Sequence, residues 1–202
     1  MDPLSLMTRF APGGRIQPGL SGHGFKLCIE PLPHRRYKEA MYAVAELHLR
    51  RRVHGAGGGL LLTGPSGAGK STIVRAYHAD FPREHQVERT WVPVLLVSVP
   101  SSPTARSLAG AILEALGQKK AHRGTAPEKT GWIHDLFARC GVEMVLLDEF
   151  QHLLYTPTLN AFRDVTDWLK NFVEDTKVGM VACGLPAAEA VVNSNVNGVG
   201  FP

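Results

Sequence analysis

Residues 64–72 read Gly64, Pro65, Ser66, Gly67, Ala68, Gly69, Lys70, Ser71, Thr72, directly after the short apolar run of residues 60–63. The stretch satisfies GxxxxGK[ST] between a strand candidate and a helical segment of residues 70–78, and that context gives the pattern its chemistry. Glycines let the backbone curl so that successive N–H groups face inward at phosphate oxygens, and the helix that follows adds the positive end of its dipole. Lys70 is expected to reach the β and γ phosphates. The Ser71 hydroxyl is placed to ligate Mg²⁺, while Thr72 either supports the loop or approaches the α phosphate. ATP and Mg²⁺ are therefore the expected ligands, with residues 64–72 as the nucleotide contacts.

Working outward, the run Met144, Val145, Leu146, Leu147 delivers Asp148 and Glu149 to the end of a second apolar strand candidate. Open α/β sheets bind ligands at the carboxyl ends of their strands, so two acids there belong to the same pocket as the loop. Asp148 is expected to hold Mg²⁺ together with Ser71. Glu149 is expected to polarise the attacking water, making Lys70 and Glu149 the candidate catalytic pair. Asp148 lies 78 positions after Lys70. That distance leaves room for a further strand between the two motif strands, the arrangement of the additional-strand class of P-loop ATPases.

The remaining chain supports this fold class. Buried strands are expected at residues 92–99, 142–147 and 179–182, where branched apolar residues run nearly without interruption. Helices are expected at residues 37–48, 104–116, 131–140 and 159–175, with a polar loop over 117–127. Alternating strands and helices imply an α/β three-layer sandwich with a mostly parallel sheet. Residues 1–33 carry so many glycines and prolines that a loosely ordered N-terminal arm is expected there, leaving residues 34–202 as the nucleotide-binding domain.

Bulk properties set the limits. A chain of 202 residues with 44% hydrophobic and 20% charged content can build one full core. A formal charge of +4 permits contact with nucleic acid without demanding it. The basic clusters at residues 50–52 and at Lys119, Lys120 and Arg123 fit either phosphate contacts or a solvated surface. Cys28, Cys140 and Cys183 include no CxxC pair, so neither a disulfide framework nor a zinc knuckle is implied and a reducing, cytoplasmic setting fits. No run reaches the roughly 20 apolar residues that cross a bilayer, and no membrane partner is expected. HExxH, GxSxG and a strand-linked GxGxxG are absent, and the nine histidines, His152 included, show no metal spacing.

Four segments together resemble the TniB and TnsC group of AAA+ ATPases from bacterial transposons. They are HRRYKEA at residues 34–40, GPSGAGKSTIVR at 64–75, VLLDEFQHLL at 145–154 and ACGLPAAEA at 182–190. The loop and acid motifs are generic to ATPases, whereas the RYKEA box and the DEFQHLL extension carry the likeness. The resemblance implies an accessory protein of DNA transposition that serves target selection, with a transposase and DNA as partners. It also implies that residues 36–40 lie near the adenine and that Tyr37 contacts it, although an aromatic residue there fits core packing equally well. In such proteins the strand at 179–182 ends in a polar side chain near the γ phosphate. Here Ala182, Cys183 and Gly184 offer no strong candidate.

The tail departs from the family pattern. Residues 193–202 end the chain where relatives continue into an Arg-Phe pair, a fifth strand and a helical lid, and no arginine follows Arg163. The expectation is a truncated or frameshifted member, or an excerpt of a longer one, with the last strand and lid missing. An arginine finger is worth about 10³ to 10⁵ in rate. Hydrolysis is accordingly expected to be impaired more than binding, and self-association on ATP binding to be weakened. A different AAA+ protein, such as a helicase loader or a defence or signalling NTPase, is the alternative reading; a chain that binds nucleotide without turnover is the non-enzymatic one.

Overall fold

The computed structural model describes residues 35–189 and 191. The expected N-terminal arm and the tail from residue 192 lie outside the described residues. Five helices and six strands follow one another in the order α1 (Arg35–His54), β1 (Gly58–Thr63), α2 (Lys70–Ala79), β2 (Glu84–His85), β3 (Thr90–Trp91), β4 (Val94–Ser98), α3 (Ala105–Ala115), α4 (Ala126–Cys140), β5 (Met144–Asp148), α5 (Leu159–Thr176) and β6 (Gly179–Gly184). Short 3₁₀ turns at Phe150–Tyr155 and Pro186–Ala188 follow β5 and β6.

The main sheet has the order β1-β6-β5-β4, with every neighbouring pair parallel. A strand does stand between the two motif strands: β6 separates β1 from β5. Each strand feeds both layers because successive side chains point to opposite faces. Val145, Leu147, Met180 and Ala182 enter the core beneath α3, α4 and α5, while Met144, Leu146, Val181 and Cys183 enter the core beneath α1 and α2. Burial on both faces explains why these strands read as unbroken apolar runs instead of alternating ones.

Local chemistry sets the helix boundaries. α1 runs beyond residue 48, burying Met41, Val44, Ala45, Leu47 and His48 along one stripe and ending where the Gly55 N–H bonds the Arg51 carbonyl. Arg51 and Arg52 thus sit in the last helical turn with His54, where cations favour the negative end of the dipole. α4 begins five residues earlier than the expected start at Gly131. Thr125 and Glu128 form a reciprocal capping box, and Pro127 sits in the first turn, where its missing N–H costs nothing. The helix start reads as loop in the sequence because Thr125, Pro127 and Glu128, which cap and open it, are of the types that also make loops. In α5, Phe172 packs on Phe137 and Trp168, with ring centroids 5.5 and 5.2 Å away.

This architecture brings the carboxyl ends of β1, β6 and β5 to one edge. The nucleotide motif and the acid pair therefore meet there.

Candidate nucleotide site

The loop after β1 turns on Gly67 and Gly69, whose φ angles of 76° and 86° lie where L residues with side chains are strained. The left-handed Gly69 leads into α2, whose first residue is Lys70. Lys70 Nζ donates to the carbonyls of Gly64 and Pro65, both at 2.8 Å. Among the described residues no carboxylate pairs with it. It lines a cleft of about 270 Å³ that also holds Asp148 and Glu149.

Across that cleft Asp148 is buried, and its Oδ1 accepts from Ser71 Oγ at 3.0 Å and from the Glu149 N–H at 3.0 Å. A hydroxyl and a carboxylate on a helix start and a strand end meet at one point, 77 residues apart in sequence. Two hard oxygen ligands converging beside a cationic phosphate cradle suit Mg²⁺, so the donor set fits the ion. Arg75 Nη2 stands 3.9 Å from Asp148 Oδ2, but its side chain is 72% exposed and the contact is weak.

Glu149 adopts φ 59° and ψ 36°, a left-handed conformation for a residue with a side chain. Such a position costs on the order of 1–3 kcal/mol and persists where its surroundings over-determine it. The determining partner here is Gln151. Its Nε2 donates to Glu149 Oε2, while its Oε1 accepts the Leu185 N–H at 3.1 Å, joining the segment after β5 to the segment after β6. Gly184 makes that bridge possible, since a Cβ there would stand 2.9 Å from Gln151 Oε1. His152 Nδ1 lies 2.9 Å from the Val99 carbonyl oxygen and its Nε2 lies 3.9 Å from Glu149 Oε2.

Ser66, Gly67, Gly69, Lys70, Ser71, Thr72, Asp148 and Glu149 line the cleft, together with Gln151, Cys183, Gly184 and Leu185. Gly64 enters through its carbonyl on Lys70, as does Pro65, and Ala68 closes the turn with its N–H on the Pro65 carbonyl at 3.2 Å. Tyr37 is not in the lining; it packs, half-buried, against the core beneath α1 and α2. Cys183, at the strand end where the family resemblance implies a polar side chain and this sequence offers none, holds its proton. Burial, aided by the Asp148 charge and opposed by Lys70, pushes its thiol up to about 12. Gln151 is the polar group that sequence reasoning missed. Its only signal is its spacing two positions after Glu149; its partner Leu185 comes from a distant segment.

The sequence profile of the family described as "Bacterial TniB protein" matches residues 32–197. The chain belongs to the TniB family. No curated protein matches it. Among solved structures, this TniB-family chain is similar to the ORC2 protein of Aeropyrum pernix in its ADPNP-ADP complexes, with 17% identity and a TM-score of 0.57 over 94% of this chain and 48% of that one. The ADP form of the same protein gives 15% identity and a TM-score of 0.54, covering 77% and 43% of the two chains. The Aeropyrum pernix ORC1 protein in complex with DNA gives 20% identity and a TM-score of 0.50, covering 76% and 40%. The chain thus spans less than half the length of each of these neighbours. The likeness is one of fold, that of the AAA+ P-loop ATPases. No described helix is long and apolar enough to cross a membrane.

Proposed function

We propose that this chain is an ATP-dependent accessory protein of DNA transposition, whose domain at residues 34–202 binds ATP with Mg²⁺ and, in that form, engages DNA and a transposase. The observation that carries the nucleotide part is the 3.0 Å contact between Ser71 Oγ and Asp148 Oδ1 beside a lysine without an acid partner. Family membership supports the transposition part, and a structural neighbour solved in complex with DNA supports the DNA part.

In this reading the main-chain amides of residues 66–70 and the start of α2 would hold the phosphates, and Lys70 would exchange the Gly64 and Pro65 carbonyls for phosphate oxygens. The exchange replaces neutral acceptors by charged ones, and charge-assisted bonds are about twice as strong. Ser71 Oγ and the Asp148 carboxylate would hold Mg²⁺, which would supply charge neutralisation at the phosphates. Glu149 takes the proton of the attacking water, provided that its carboxylate is released from Gln151 Nε2. Gln151 would then tie base activation to whatever moves the segment at 184–185.

Fluorescent ATP titration with and without Mg²⁺, followed by filter binding to duplex DNA at low salt, tests both parts. Saturable Mg²⁺-dependent ATP binding and ATP-dependent DNA retention are expected. Nucleotide binding with no DNA retention would leave an AAA+ protein of another calling, such as a helicase loader or a signalling NTPase.

A further inference from the structure

A second polar cleft, of about 370 Å³, opens at the opposite end of the sheet from the nucleotide motif. Its walls come from the last turn of α1 (Arg51, Arg52), strand β3 with the residue before it (Trp91, Arg89), and the segment from α4 into β5 (Gly141, Glu143). Glu143 precedes the first residue of β5 and Asp148 ends that strand of five residues, which puts about 16 Å between the two sites.

The cleft's one acid is already engaged. Glu143 Oε2 accepts from Arg52 Nη2 at 2.7 Å and Nε at 3.0 Å, and lies 2.7 Å from His48 Nε2. Burial alone would raise its carboxyl, but the bonds to His48 and Arg52 outweigh that and hold it below the ordinary carboxylate range. Arg51 and Arg89 gain nothing from it: neither has an ion-pair partner among the described residues. Arg51 Nε is shielded from solvent and donates to no acceptor, which a protein interior rarely tolerates. Arg89 has only a 3.5 Å contact with Gln86 Oε1. The Trp91 indole lies over Gly141, where a Cβ would stand 2.9 Å from Nε1, and its N–H, open to solvent, meets no protein acceptor among the described residues.

We propose that this cleft binds a phosphate group between the guanidinium forks of Arg51 and Arg89 and the N–H of Trp91. Two uncompensated cations and a neutral donor call for an anion of up to two charges with three or more acceptor oxygens, and guanidinium forks match phosphate geometry. A carboxylate offers one charge and two oxygens, and Glu143 already fills that role within the cleft. The phosphate comes either free or on a small molecule, or as part of a DNA backbone. The site does not depend on the nucleotide reading, since its residues belong to the other end of the sheet.

The test follows Trp91 emission in the full chain, taken as the difference from Trp91→Phe, during titration with inorganic phosphate, with acetate, and with a short DNA duplex at two salt concentrations. Phosphate bound near Lys70 is too far away to report through Trp91, and ATP binding is measured separately. Saturable binding of phosphate is expected, weakened at least about tenfold in the Arg51→Gln, Arg89→Gln double variant, with acetate much weaker. Quenching by the duplex that also fades in the double variant would identify DNA backbone as the source; quenching by free phosphate alone would identify a small molecule. Should Arg51→Gln lower the melting temperature, exposed Arg89→Gln alone carries the comparison. Equal phosphate binding in wild type and variants, no Trp91 response at all, or a preference for acetate, which would favour an acidic peptide, would each overturn the proposal.

Discussion

At the carboxyl ends of β1 and β5, Lys70 is held by two carbonyls and Ser71 by Asp148, while at the amino end of β5 Glu143 is held by His48 and Arg52, with Tyr77 on the far side of the His48 ring at 2.9 Å. Both ends contain charged groups in hydrogen-bonded clusters. They differ in what the bonds satisfy. The first end pairs a cation with neutral acceptors and an acid with a hydroxyl, so each partner gains by exchange for a phosphate or a metal. The second pairs an anion with a cation and a fully buried imidazole, and any exchange would leave a buried polar group unmatched. Exchangeable bonds mark the nucleotide end, whereas the saturated His48–Glu143–Arg52 cluster ties α1 and α2 to the sheet and leaves any ligand at that end to Arg51 and Arg89 beside it.

If that contrast is right, the largest response belongs to the base. Glu149→Gln should lower ATP turnover about 10²- to 10⁴-fold, the usual share of a general base, while ATP affinity stays near wild type. Equal loss of both would mean that Glu149 shapes the pocket and takes no proton.

Cys183 sharpens the picture of the cleft wall. With its thiol pushed up to about 12 from an ordinary 9.0, the thiolate fraction at pH 8 falls about 10³-fold, and iodoacetamide labelling should be correspondingly slow until the protein is unfolded. Peptide mapping by mass spectrometry reads the rate. Fast labelling in the native state would mean a more open β6 end than the burial implies.

Lys70→Ala should weaken ATP binding about ten- to hundredfold, the worth of one bond to a charged group, without lowering the melting temperature. A large loss of stability instead would show that the lysine's carbonyl contacts serve the fold.

Glu143→Gln should do the reverse, costing about 1–2 kcal/mol of stability and leaving ATP affinity alone, since its side chain is partly exposed and its pairing is screened accordingly. The pH sign follows from its depressed folded pKa. The stabilisation is fully present above the unfolded carboxyl value, about 4.3, and is lost as pH falls through the lower folded value. Urea midpoints between pH 5 and 3 should fall less steeply in the variant than in wild type. Identical slopes would remove Glu143 from the acid limb.

Arg75→Ala should change least. Its 3.9 Å approach to Asp148 is mostly solvated, so a stability change within about 0.5 kcal/mol is expected in thermal melts.

Legibility followed the same division. The strands could be read because burial on both faces forces continuous apolar runs at residues 94–97 and 144–147, and the loop could be read because glycines take the φ angles at 67 and 69 without the strain a side chain would bring. The start of α4 was misread because a capping box is made of the same polar residues as a loop. The bridge that Gln151 makes to the segment after β6 and the cleft of Arg51, Arg89 and Trp91 could not be read. Gln151 bonds Leu185 from 34 positions away, and the cleft residues come from three separate elements, so no local period encodes either meeting.

The sequence by itself determined which residues can curl around phosphate, which strands are buried on both faces, and to which family the chain is similar, because these depend on local backbone freedom and on side-chain polarity at short range. Only the tertiary structure decided that Ser71 meets Asp148, that Gln151 holds Glu149 against the turn after β6, and that Arg51 is left with a buried donor and no acceptor. Those facts arise when parallel strands, brought side by side by helices of differing length, set the ends of distant segments within hydrogen-bonding reach.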